Sequence, residues 1–243
     1  MIKDIDKILK DIKFINDDTS KFMKSYKLKT LTETIPFEEK EKIVRELISD
    51  LQQKIIPYEY PKFMFEIGGF FLLRDLIIRE QGFAVVCKKW IKPLAKWIGK
   101  RKCLEVMAGC GSLSYALQQE GVSVIATDNF SWDGHASWND VKKYFTDIEN
   151  IDCVKAVEKY GKDIDIIIMS WAYMDDNAYK TLIKMREINP SAIMIVIGEG
   201  QGGCTANDDF FEEINIIKDE KINYINCLYE TWDELYDFIM LVN

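Results

Sequence analysis

From Lys102 onward the sequence alternates between short β-rich runs and helical segments, and few architectures accept that rhythm. The runs are KCLEVM, VSVIAT, DIDIIIMS, AIMIVIG, NYINCLY and LYDFIMLV. Helical periodicity fills the gaps near Leu113–Glu120, Val154–Lys159, Asp175–Glu187 and Asp208–Ile214. Strands that are apolar throughout, rather than at every second residue, are buried on both faces. That requires a parallel sheet covered by helices on either side. The short connection ETWDE between the last two runs predicts an antiparallel hairpin at the sheet edge.

The first hundred residues have a different texture. Ile2, Ile5, Ile8, Leu9, Ile12 and Ile15 form a helical stripe. NDDTS then reads as a loop. A second helix follows Pro36, with Ile43, Val44, Leu47, Ile48 and Leu51 on one face and acids in its first turn. A third is expected over Tyr60–Gln81, capped by Gly82, and a fourth over Phe83–Ile98, limited or kinked by Pro93. The division is therefore an all-α lobe over residues 1–100 and an α/β domain over 101–243.

Composition narrows the classes. A net charge of -8 argues against a protein that coats nucleic acid. Six cysteines without a CxxC pair predict reduced, buried thiols, and with a single histidine they argue against structural zinc. The N-terminus lacks the apolar core of a secretory signal, and the apolar run at IGGFFLL ends at Arg74 and Asp75, far short of a membrane span. A soluble, cytoplasmic protein is the expectation, with no membrane partner; the oligomeric state is left open.

The stretch CLEVMAGCGSLSYALQQEGVSVIATDNFSW, Cys103 to Trp132, carries the chemistry. An apolar strand passes a carboxylate, Glu105, and must turn sharply into a helix starting near Ser112. Gly109 and Gly111 permit the turn and the close approach of a ligand. The helix N-terminus offers unpaired N–H groups to an anion. Asp128, at the end of the next strand, points into the same crevice, where a carboxylate can accept two hydrogen bonds from a ribose. A nucleoside site at the C-terminal edge of the sheet follows.

LEVMAGCGSL followed by VIATD resembles the first two motifs of the class I S-adenosylmethionine-dependent methyltransferases. Glu105 matches the acid on the family's first strand, Gly109 and Gly111 the later two glycines, and Asp128 the ribose-binding acid. Met107 stands where the family usually has its first glycine. The resemblance implies a Rossmann-like, seven-stranded sheet, mostly parallel with an antiparallel C-terminal hairpin, behind the helical lobe. It implies S-adenosylmethionine as methyl donor, with Ala108, Asn129 and Ser170 joining Glu105, Gly109, Gly111 and Asp128 around it. GCGSLS also lies one residue from the dinucleotide pattern G-x-G-x-x-G, with Ser114 in the third glycine's place. An NAD(P)-dependent oxidoreductase, or a donor-binding regulatory protein without turnover, are therefore the alternatives.

Ser170-Trp171-Ala172-Tyr173 follows the fourth strand, where the family's transferable methyl lies. Amino-directed members carry [D/N/S]-P-P-[Y/F/W] here; Ser170 and Tyr173 fit the outer places, and Trp171 and Ala172 replace both prolines. Ser170 and Tyr173 are thus candidate catalytic residues, and Trp171, Tyr173 and Trp132 candidate substrate contacts, able to form an aromatic wall beside a cation. If a base is needed, Glu199 in IGEGQGGC, Asp175, Asp176 and His135 are candidates; glycines around Glu199 allow unusual backbone angles or close approach to a ligand. Asp147 and Asp152 flank the region where the family places an acid near the adenine amine. Trp138 shares the Trp132 loop. Removing the Asp128 carboxylate is expected to weaken donor binding while leaving the fold intact. A small molecule or a protein amine is the expected acceptor. RNA is a weaker alternative: Lys88–Lys102 holds seven basic residues with Trp90 and Trp97 on one face, yet reads more simply as an amphipathic helix with packed tryptophans and solvated lysines.

Overall fold

A computed structural model describes residues 5–10, 35–65, 73–131, 144–232 and 235–243. Before the sheet the described residues include the helices α1 (Phe37–Gln52), α2 (Leu73–Gln81) and α3 (Lys88–Ile98). Residues 5 to 10 are also helical, and Lys62–Phe65 form a 3-10 turn. Of the third expected helix, Tyr60–Gln81, the start is this 3-10 turn and the end is α2, closing at Gly82, whose amide bonds to the Ile78 carbonyl; residues 66–72 lie outside the described residues. The fourth starts at Lys88 rather than Phe83. Its first two amides are satisfied from outside, donating to the carbonyls of Pro57 and Tyr58 at 2.9 and 2.8 Å. Residues 83–86 are thereby left free of the helix to wall a cavity.

The sheet contains β1 (Cys103–Val106), β2 (Val124–Asp128), β3 (Glu149–Asn150), β4 (Ile166–Ser170), β5 (Ile193–Gly198) and β6 (Phe238–Val242). Their order is β3-β2-β1-β4-β5-β6, parallel except for the β5–β6 pair. Helices α4 (Ser112–Gln119), α5 (Cys153–Tyr160), α6 (Asn177–Ile188), α7 (Asp208–Glu213) and α8 (Glu220–Asn226) complete the domain. Side chains alternate between two cores, as the pleat requires. Ile166, Ile168, Ile195 and Ile197 join Trp90, Ile91 and Leu94 of α3 on one face. Ile167, Met169, Met194 and Val196 meet Val157 of α5 and Leu182 of α6 on the other. Residue 100 thus falls in the exposed link between α3 and β1, and side chains of both elements enter one apolar core.

Among the described residues six strands are observed where seven were expected, and NYINCLY is not one of them. It forms most of α8 because Asp219 caps it, accepting from the amides of Lys221 and Ile222 at 2.8 and 3.1 Å. Ile222 and Ile225, three apart, then bury one helical face while Tyr224 stays exposed. The expected C-terminal hairpin is corrected accordingly. β6 lies antiparallel to β5, and its outer side carries one antiparallel bridge, Ile216 to Val242, in place of a full strand. The sequence reading also missed β3, whose two residues are too few to show a period.

Candidate functional site: a crevice at the switch point of the sheet

After β1 the chain steps outward to β2 and β3, then returns to β4 on the other side of β1. The connections leaving β1 and β4 consequently diverge, and a crevice opens above the carboxyl ends of the two strands. A cavity of about 320 Å³ occupies it. Glu105, Ala108, Gly109, Asp128, Asn129, Ser170, Trp171 and Tyr173 all line this cavity. Eight of the residues singled out from sequence are therefore brought together.

The loop after β1 is shaped by backbone angles. Gly109 and Gly111 adopt φ of 56° and 75°, in the left-handed region that glycine tolerates. Met107 adopts φ of 54°, so the position where the resemblance expects glycine has a glycine-like backbone and a methionine side chain. A Cβ on Gly111 would also meet Ile148 Cδ1 at 3.0 Å. Phe130, after β2, and Trp171, after β4, likewise have positive φ, at 54° and 53°. Three strand ends around one crevice thus end in a left-handed residue, a conformation costing roughly 1–2 kcal/mol each without a compensating contact.

Both acids brace this loop. Asp128 accepts from the Gly109 amide at 2.7 Å through Oδ2 and from the Phe130 amide at 2.6 Å through Oδ1. Glu105 accepts through Oε2 from the Ser114 amide at 2.9 Å and from the Ser114 hydroxyl. Burial pushes the Glu105 carboxyl up to about 7; the Ser114 donors oppose this, and the negative charge of Asp128 adds to it. The Ser112 hydroxyl donates to the Gln81 carbonyl, tying the start of α4 to the end of α2.

At the β4 end, Trp171 stacks on Phe83 with centroids 5.2 Å apart. Its indole N–H donates to Asp237 Oδ2 at 3.1 Å, and the Tyr229 hydroxyl reaches the same oxygen at 2.6 Å. Ser170 lies at the cavity edge, and Tyr173 is 47% exposed. The Tyr173 phenol pKa is raised, first by burial and then by Asp128 and Asp175. Residues not singled out from sequence complete the wall: Ile78, Gln81, Phe83, Ala84 and Val86 from the helical lobe, and Asn177 from α6. Their only sequence signal was Gly82, which marks a chain reversal but not what the reversal faces.

Other candidates lie elsewhere. Glu199 is not among the described residues lining the cavity. Its Oε2 accepts from the Cys204 amide at 2.8 Å and its Oε1 from the Tyr236 amide at 3.1 Å. Burial disfavours its charge, but these donors outweigh that and lower its pKa. Of its neighbouring glycines only Gly202 has a positive φ, and Gly203 allows close approach: a Cβ there would stand 2.4 Å from Glu199 Cβ. Glu199 thus links the Cys204 and Tyr236 segments through its two oxygens. Asp152 caps α5, Asp147 is exposed on another face, Asp175 accepts from Asn177, and Asp176 pairs with Lys180 at 2.6 Å. Trp132, His135 and Trp138 lie outside the described residues.

In the basic segment, Trp90 is fully buried and Trp97 donates to Asp219 at 3.0 Å, with Arg101 over its ring. Lys89 pairs with Glu59 and Glu230. Cys87, Cys103, Cys110 and Cys153 are buried and free, whereas Cys204 and Cys227 are exposed. Among the described residues no cluster of His, Cys, Asp and Glu is arranged to hold a metal, and no helix is long and apolar enough to cross a membrane.

Strand order and crevice define a doubly wound, Rossmann-like α/β fold with a cavity at its switch point. No family model matches the chain, and no curated protein does. Among solved structures it is similar to TehB from Haemophilus influenzae, at 15% identity over 70% of this chain and 66% of that one, with a TM-score of 0.42. It is also similar to a SAM-dependent methyltransferase from Archaeoglobus fulgidus, at 11% identity over 63% and 91% of the two chains and a TM-score of 0.38. A third is the glycopeptide N-methyltransferase MtfA complexed with S-adenosyl-L-methionine, at 15% identity over 47% and 55%, TM-score 0.33. The chain thus spans just under two thirds of TehB and about half of MtfA. Identities and scores of this size carry no function across.

Proposed function

We propose that the protein is an S-adenosylmethionine-dependent methyltransferase. One observation carries this reading: the loop amides that a dinucleotide would need are taken by the protein's own carboxylates. In a dinucleotide site the pyrophosphate rests on the N–H groups of the glycine loop and the helix start. Here Gly109 N–H is bonded to Asp128 and Ser114 N–H to Glu105. A pyrophosphate would have to displace two anions and then sit beside them. A sulfonium donor with a cationic amine meets the opposite situation, because both carboxylates attract it. The antiparallel edge strand β6 also departs from the fully parallel dinucleotide sheet.

The donor supplies an electrophilic methyl group on a good leaving group. The chain's residues bind and align. Asp128, held by the Gly109 and Phe130 amides, faces the ribose hydroxyls; Glu105 supplies negative charge beneath the loop; Ser170, Trp171 and Tyr173 border the acceptor side. The acceptor is a small molecule or an exposed amine rather than RNA, since the tryptophans of the basic helix are committed to packing.

Calorimetric titration with S-adenosylmethionine, S-adenosylhomocysteine, NAD and NADP tests the reading. Binding of the first two and not the others is expected. Heat from NAD or NADP alone would reject it. Tight donor binding without release of S-adenosylhomocysteine from any acceptor would point to a regulatory protein instead.

A further inference from the structure

The cavity says more about its acceptor than about its donor, and the following rests on the methyltransferase reading. No described lining residue is Lys, Arg or His; the only charged side chains among them are Glu105 and Asp128. An anionic acceptor would enter a negative, partly desolvated site with no cation to receive it. The helical lobe's share of the wall is apolar apart from Gln81: Ile78, Phe83, Ala84 and Val86, with Phe83 stacked on Trp171. Phe83 and Trp171 are stacked with their planes 20° from parallel, so one face of each ring is covered by the other and the remaining aromatic surface of the pair borders the cavity.

No described group in this cavity is placed to take a proton from a hydroxyl nucleophile. Both oxygens of Asp128 hold loop amides. Glu105 is gripped by Ser114 beneath the loop. The thiols of Cys110 and Cys153 are pushed up, mainly by burial, and that of Cys204 by its bond to Glu199; the Tyr173 phenol is raised by burial. Glu199 lies outside. Among the described residues, then, nothing is placed to deprotonate a nucleophile, which favours one that arrives with its lone pair already free.

We propose that the acceptor is a small, flat, apolar molecule methylated on a neutral ring nitrogen of the pyridine or quinoline type. The nitrogen lone pair forms the new N–C bond as the methyl carbon leaves the donor sulfur, which keeps the C–S electron pair. Sulfonium becomes thioether and the ring becomes an N-methyl cation. No proton moves, and the net charge in the cavity is unchanged. The two carboxylates that favour the cationic donor favour the cationic product equally, and the aromatic wall adds a face for it.

Quinoline, quinoline-6-carboxylate and 1-naphthol serve as probes of one ring size. Their binding is measured by calorimetry on protein saturated with S-adenosylhomocysteine, and turnover by mass spectrometry of the methylated rings. Quinoline is expected to bind and react at least about tenfold better than its carboxylate, and 1-naphthol to bind without reacting. Phe83→Lys, checked for folding by circular dichroism and for donor affinity by calorimetry, should shift binding toward the carboxylate. Equal or better handling of the carboxylate by the unmodified protein, methylation of naphthol, or failure of quinoline to bind while the donor binds would each overturn the inference. Failure of the donor itself to bind would instead overturn the methyltransferase reading.

Discussion

Ser114 holds Glu105 with two donors on one oxygen: its amide at 2.9 Å and its hydroxyl. Even so, burial leaves the carboxyl raised from its ordinary 4.5 to about 7. The folded protein therefore binds this proton more tightly than the unfolded chain. The Glu105 contribution to stability is highest below pH 4.5 and declines as pH rises to about 7, by up to about 3 kcal/mol. Glu105→Gln should remove that decline. Urea unfolding at pH 5 and pH 8 is expected to show the variant gaining on the parent at the higher pH.

The same proton should report on the donor. A cationic ligand near Glu105 favours its ionised form, so binding near pH 7 releases part of a proton. Titrations in buffers of different ionisation enthalpy should give apparent heats that differ for the parent protein and converge for Glu105→Gln. Identical heats in all buffers for the parent would place the ligand's charge elsewhere.

Asp128 fixes two loop amides as well as facing the cavity. The sequence-based expectation that its loss spares the fold is revised. Asp128→Ala removes two charge-assisted bonds, each worth about 1.5–3 kcal/mol, and is expected to lower the melting temperature as well as donor affinity. Asp128→Asn, which keeps one acceptor, should be intermediate in both measurements.

Met107 strains the loop that Gly109 and Gly111 relax. Met107→Val places a β-branched residue at φ of 54° and should cost about 1–2 kcal/mol. Met107→Gly should be neutral or stabilising by up to about 1 kcal/mol, strain relief being offset by unfolded-state entropy. Denaturant midpoints of the three proteins should rank Gly at or above Met, and Met above Val.

Glu199 gives the sharpest contrast between a brace and a base. As a brace, Glu199→Gln should lower the melting temperature and change kcat by less than about threefold; loss of a general base typically costs 10²-fold or more. A large fall in kcat without loss of stability would return Glu199 to the chemistry.

How much of this was readable beforehand depends on the range of each interaction. β1, β4 and β5 were legible because unbroken apolar runs have one cheap solution, a covered parallel sheet. That Glu105, Asp128, Ser170, Trp171 and Tyr173 would border one cavity was legible because strand ends at a switch point converge whatever the intervening chain does. α8 was misread because Ile, Tyr and Cys suggested a strand; Asp219, its cap, was the local clue. The bonds that hold Glu199 beside the cavity's described lining were not legible, because the amides of Cys204 and Tyr236 reach it only in three dimensions. Phe83 and Val86 were missed as site residues for the same reason, since their place opposite Trp171 is set by tertiary packing.

The left-handed turns at Met107, Phe130 and Trp171 bear on how such a protein diverges. They sculpt the rim from main chain, so what hangs from that rim is comparatively free to vary. The residues opposite, around Phe83, can therefore change while the main-chain rim keeps its shape.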